Sequence, residues 1–189
     1  MSVKHALLAL LEKPRYGYEL RAEFEQRTGA SWPLNVGQVY TTLSRLERDG
    51  LVEAGGTDAE GRSLYQLTEA GRVEVKGWFD SPVERTQPQR DELAIKLAVA
   101  VAVPSVDVGK VVQQQRNATM QALQGYRRQA RSGAGDDLAG GLVLDRLVFA
   151  AEAEIRWLDH CESRLRRAAA TSTAPEPAEP TEPTDGGTR

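Results

Sequence analysis

Val39, Leu43 and Leu46 recur at i, i+4 and i+7 between Val36 and Asp49, and that spacing leaves little choice of local structure. An apolar stripe of this period is buried as a unit only on an α-helix, which turns the rest of the segment outward. The outward set is Gln38, Thr41, Thr42, Arg45 and Arg48, rich in hydrogen-bond donors. Gly50 follows directly, and a residue free to take φ > 0 is well suited to end a helix there.

The flanking sequence supplies the neighbours of this helix. Val3, Ala6, Leu7, Leu10 and Leu11 share one helical face of residues 3–12, and Pro14 stops that helix. Leu20 and Phe24 stand at i, i+4 in a second helix over Tyr18–Arg27, which Thr28–Gly29 closes before the apolar turn Trp32–Pro33. After Gly50, Leu51–Ala54 reads as a strand, Gly55–Gly61 as a turn and Arg62–Leu67 as the returning strand. Thr68 is a good N-cap for a further helix. Three helices and a two-stranded hairpin in this order predict a winged helix-turn-helix over residues 1–80. The fold class expected is mainly α with a small β-hairpin wing, followed by a C-terminal helical dimerisation region.

A unit of this kind reads double-stranded DNA when its third helix carries suitable side chains. An α-helix fits the major groove, where Gln, Thr and Arg reach base edges and phosphates. The candidate DNA-binding residues are therefore Gln38, Thr41, Thr42, Arg45 and Arg48, with Arg62 at the hairpin tip. Tyr40 fits either the core or a phosphate contact. Charge complicates this picture, because the net charge is −3. Residues 171–189, with four acids and one base, account for all of it. Residues 1–80 still hold ten Lys/Arg against twelve Asp/Glu, a net of −2. A DNA-facing surface must come from sorting charges onto faces and not from bulk charge. The same balance supports a second reading, a winged-helix protein-interaction module that does not touch DNA.

Four segments carry a family likeness: Tyr16-Gly17-Tyr18-Glu19-Leu20, Trp32-Pro33, Gly37 to Val52 (GQVYTTLSRLERDGLV) and Gly61 to Gly71 (GRSLYQLTEAG). In this order and spacing, over about residues 3–80, the sequence resembles the PadR family of transcription regulators. The resemblance implies a homodimeric repressor that presents two winged helices to a palindromic operator and is released by a small-molecule effector. It also sets Tyr18 near the DNA-facing helix start, although packing inside the domain suits that side chain equally well. Thr41 stands where several relatives have proline, which argues against borrowing a relative's operator sequence. Planar aromatic effectors bind some relatives near the dimer interface, so Trp32 and Trp157 become candidate effector contacts. An ordinary dimer-core aromatic is the plainer reading of Trp157, and a ligand-sequestering drug sensor is a third reading of the whole chain.

Residues 88–170 read as a helical region for dimerisation and effector binding. Leu144, Leu147, Ala151, Ile155, Leu158 and Leu165 recur at heptad-like spacing, and Val108, Val111, Val112, Ala118, Ala122, Leu123 and Tyr126 form a second stripe. Two such helices joined by the break at Ser132–Gly135 cannot hide both stripes in a lone hairpin, so a second chain is expected to cover the Leu144–Leu165 stripe. Leu93–Val103 is ambiguous: large residues at odd positions suggest a strand, whereas its alanines and the preceding Arg90-Asp91-Glu92 suggest a helix. A helix is expected, since nothing nearby offers a strand partner. Residues 171–189, rich in Pro, Glu and Thr, are expected to be disordered.

Other classes of function find little support. No apolar run reaches eighteen residues, so a membrane-spanning helix is not expected. The first residues lack the long apolar stretch and cleavage site of a secretory signal, and the lone Cys161 suits a reducing, cytoplasmic setting. His5 and His160 stand apart from any ligand spacing, so neither metal nor cofactor is expected. No phosphate-binding loop or nucleophile motif suggests an enzyme.

Overall fold

The computed structural model describes residues 3–57, 59–84, 90–134 and 137–172. The first half runs α1 (Val3–Leu10), β1 (Arg15–Tyr16), α2 (Gly17–Arg27), α3 (Val36–Arg48), β2 (Val52–Thr57), β3 (Ser63–Leu67) and α4 (Glu69–Asp80). The second half runs α5 (Glu92–Ala102), α6 (Val108–Gln129), a π-helical turn (Ala130–Ala134) and α7 (Leu138–Ser172). The sequence Leu93–Val103 is thus helical, started by Asp91, whose side chain accepts the Ala94 N–H at 3.0 Å. The Pro/Glu/Thr-rich segment from Thr173 onward lies outside the described residues.

Local chemistry sets the element ends. Asn35 and Thr68 cap α3 and α4 by accepting backbone N–H groups of Gly37 and Gly71 at 2.8 and 3.1 Å. Gly50 ends α3 with φ of +71°, in the left-handed region. The sheet departs from the expected hairpin in two ways. It has three antiparallel strands in the order β1-β3-β2, because Arg15 and Tyr16 pair with Tyr65 and Leu64. Strand β2 also runs on through Gly55 and Gly56 to Thr57, with an irregular register between Ala54 and Thr57.

The winged-helix core joins Leu7, Leu8 and Leu11 of the first helical segment to Leu20 and Phe24 of α2 and Val39, Leu43 and Leu46 of α3. Val52 and Leu67 close it from the sheet. Burying the α3 stripe here leaves the opposite face of that helix in solvent. In the second half α6 and α7 fold back on each other, bridged by Arg116–Asp159 and Arg127–Glu152, each at 2.7 Å. This packing corrects one expectation: Leu144, Ala151, Ile155 and Leu158 are buried within the single chain, at 1, 7, 9 and 0% exposure. Leu147 and Leu165 are half-buried. Most of that stripe therefore faces its own chain, not an outside surface. Side chains also link the two halves at one end of the α6–α7 hairpin. Gln129 Nε2 donates to the Gly29 carbonyl at 2.8 Å, and Arg27 lies 3.5 Å from Asp137.

Candidate nucleic-acid interface

The site starts from how α3 spends its own polar groups. Asn35 and Gln38 form a reciprocal cap, in which the Asn35 N–H donates to Gln38 Oε1 at 3.2 Å. That fixes the Gln38 side chain at the helix start and leaves its amide N–H groups for an outside partner. Thr42 donates its hydroxyl to the Gln38 carbonyl at 2.7 Å, so it meets a ligand only as an acceptor or through its methyl group. Thr41 and Arg45 are exposed, and Arg45 has no ion pair among the described residues. Gln38, Thr41, Thr42 and Arg45 line one concave surface together with Val3 of α1. Arg48 stands apart, its guanidinium donating to Asp49 at 3.0 and 2.8 Å.

A second patch joins three elements beside this surface. The rings of Tyr16 and Tyr18 stack with centroids 5.9 Å apart, and the Arg62 guanidinium lies 5.5 and 5.7 Å from the two centroids. Arg62 also donates to Glu60 at 2.8 Å. Tyr40 of α3 reaches the same place, since a Cβ on Gly17 would sit 2.8 Å from its ring. Only glycine at position 17 permits that contact. Tyr18 and Tyr40 remain 47 and 39% exposed, which leaves both free to meet a phosphate. Below them Tyr65 is half-buried, and its phenol is pushed up from 10.0 by burial first and then by Glu47 and Tyr40. Tyr16, Gly17 and Glu60 were not among the expected site residues. The signal for the first two was the Tyr-Gly-Tyr run itself.

All of these side chains except Val3 fall within residues 7–77, which match the family described as transcriptional regulator PadR-like. The chain belongs to the PadR-like family of transcriptional regulators. Residues 89–166 of this PadR-type regulator match a second family description, virulence activator alpha C-term. Over 186 residues the chain is 28% identical to a Mycobacterium tuberculosis protein described as a probable transcriptional regulator, covering 88% of this chain and 98% of that one. It is 25% identical to the Bacillus subtilis negative transcriptional regulator PadR, over 83 and 93% of the two chains. The Bacillus subtilis PadR structure in complex with operator DNA superposes with a TM-score of 0.66 at 20% identity, over 86 and 96% of the chains. A structure of that protein with p-coumaric acid gives 0.69 at 19% identity, over 88 and 99%. The Vibrio cholerae virulence activator AphA gives 0.65 at 24% identity, over 87 and 98%. At these identities the superpositions establish a shared fold.

The PadR-type fold separates the two tryptophans expected to meet an effector. Trp157 is half-buried among Leu97, Val112 and Leu158 on the wall of a cavity between α5, α6 and α7. Trp32 is 48% exposed in the loop before α3 and does not line that cavity. The two do not share this pocket, because the loop before α3 belongs to the winged-helix layer. Trp78 instead stacks on His5, which contacts Glu74 at 3.0 Å. Among the described residues no three His, Cys, Asp or Glu side chains gather to hold a metal ion, and no helix is long and apolar enough to cross a membrane.

Proposed function

We propose that this PadR-type transcriptional regulator acts as a homodimeric repressor on a palindromic operator and is released by a small-molecule effector. The carrying observation is the concave α3 face, on which Gln38, Thr41, Thr42 and Arg45 converge and Arg45 is the unpaired cation. Residues 1–80 bind DNA in this reading, and residues 88–170 dimerise and respond to the effector. The known complexes of Bacillus subtilis PadR with operator DNA and with p-coumaric acid support both parts. Dimerisation is supported by the apolar side chains that α5 and α7 leave in solvent, including Ile95, Val99, Leu142 and Phe149, at 51 to 65% exposure. Two copies joined there would offer α3 to half-sites about 34 Å apart. The chain acts by binding, without catalysis, and works in the cytoplasm.

The test is a fluorescence-anisotropy titration of a labelled duplex taken from upstream of the protein's own gene, at low salt. Saturable binding that a scrambled duplex does not match is expected, together with a dimer by sedimentation velocity. Absence of duplex binding at every salt concentration would instead favour the interaction-module reading.

A further inference from the structure

The turn that leads into α3 holds a backbone conformation that its sequence does not favour. Helix α2 ends in a regular cap: the Gly29 N–H donates to the Gln26 carbonyl at 3.0 Å and the Ala30 N–H to the Glu25 carbonyl at 2.7 Å. A cap of this pattern needs one left-handed residue, and Gly29 supplies it with φ of +58°. Ala30 then takes φ of +54°, and no other non-glycine residue among those described has a positive φ. The Cβ of an alanine makes this conformation about tenfold scarcer than the right-handed one. Ser31 adds a second cost, since its hydroxyl oxygen is buried without a hydrogen-bond partner among the described residues.

A strained backbone of this kind persists only where its surroundings hold it. One hold comes from the other half of the chain, where Gln129 Nε2 donates to the Gly29 carbonyl at 2.8 Å. That oxygen belongs to the planar peptide unit joining Gly29 to Ala30, so a bond on it fixes the plane of the unit and with it the φ of Ala30. Gln129 is the last residue of α6, and Asp137, beyond the π-helical turn that follows, lies 3.5 Å from Arg27. The connection onward has little slack. Four residues, Ser31 to Leu34, separate Ala30 from Asn35, the cap that fixes Gln38 at the start of α3. Leu34 is itself pinned, its side chain buried and its N–H donating to the Glu25 carboxylate at 3.2 Å. We infer that Gln129 is a positioning residue for DNA reading: by holding Ala30 left-handed it sets where the first turn of α3, with Gln38 and Thr41, stands. The inference rests on the operator reading of α3 and adds to it a residue from the C-terminal half.

Gln129→Met tests this in the full chain, because methionine keeps the length of the side chain and suits a helix but has no donor. The variant is expected to bind the duplex from upstream of the protein's own gene about fivefold more weakly, the worth of one hydrogen bond, and a scrambled duplex as before. In hydrogen exchange read by mass spectrometry, the peptide covering residues 28–35 should exchange faster, while peptides of α6 and α7 stay unchanged. Ala30→Gly separates this role from ordinary packing. Glycine takes positive φ without penalty, so Ala30→Gly alone should keep duplex affinity, and in that background Gln129→Met should cost almost nothing. The same loss with either residue at position 30 overturns the inference, as do equal losses on the two duplexes or unchanged exchange over residues 28–35. If the unaltered chain binds no duplex, the operator reading fails. The exchange experiment then still decides whether Gln129 holds the turn: faster exchange in Gln129→Met that Ala30→Gly suppresses supports the hold, and any other pattern overturns it.

Discussion

Among the described residues, eleven buried apolar side chains of the winged-helix half form a single cluster from Leu7 to Leu67. The C-terminal half divides its buried set into two smaller clusters, Leu97–Val112–Leu158 and Leu123–Ala151–Ile155. The first half closes on itself and turns a polar face outward. The second is a helical hairpin with a third helix lightly laid on it, and much of its apolar surface stays uncovered. A closed core suits a part that must hold a fixed shape against DNA. An open one suits a part whose packing is completed by whatever docks on it.

The strongest way to break this contrast is to cut one large side chain from each half. Leu43→Ala, at a site buried on every side, is expected to cost about 3–5 kcal/mol in urea unfolding. Leu158→Ala, beside an existing cavity and under a lightly anchored helix, should fall near 2 kcal/mol because α5 settles into the space. Equal losses would show that the two cores are alike. Next in size, Arg45→Ala should weaken specific duplex binding by about 1–3 kcal/mol in anisotropy titrations. Its urea midpoint should stay almost unmoved, since the side chain packs on nothing in the core. Thr68→Ala removes the cap of α4 and should cost about 1 kcal/mol, read in the same urea series.

The smallest effect expected is alkaline. The phenol of Tyr65 has a folded-state pKa raised above 10.0, so the fold favours its neutral form. That contribution is complete below about pH 10 and is lost as pH rises through the raised value. Tyr65→Phe should therefore flatten the decline of stability above pH 10 in the winged-helix half, followed by thermal unfolding across pH 9–11.

How far the sequence reached follows the same division. The α3 face was legible because a 3.6-residue period states which side is buried, and within a compact unit the other side can only be outward. On α7 the period again identified the apolar side, but it cannot say which neighbour covers it. Leu144, Ala151, Ile155 and Leu158 turned out to face their own chain, while Leu142 and Phe149 were left in solvent. Strand β1 escaped notice because Arg15 and Tyr16, caught between Pro14 and Gly17, are too few to show alternation. The Tyr16–Tyr18–Arg62 patch and the cavity beside Trp157 depend on contacts between residues distant in sequence, which no local spacing encodes.

The hydrogen bond from Gln129 to Gly29 has a mechanical meaning. Val112 lines the cavity, and Gln129 lies 17 residues further along the same helix, about 25 Å away at the helical rise. At that far end it meets the turn in which Gly29 and Ala30 both hold positive φ, just ahead of α3. The hairpin thus spans from the groove under α5 at one end to the turn between α2 and α3 at the other. A tilt of about 5° set off at the pocket moves the far tip by roughly 2 Å over such a length. A displacement of that size is comparable with the 2.8 Å bond itself, so the Gly29 contact is where a tilt of the hairpin would first be felt in the winged-helix half.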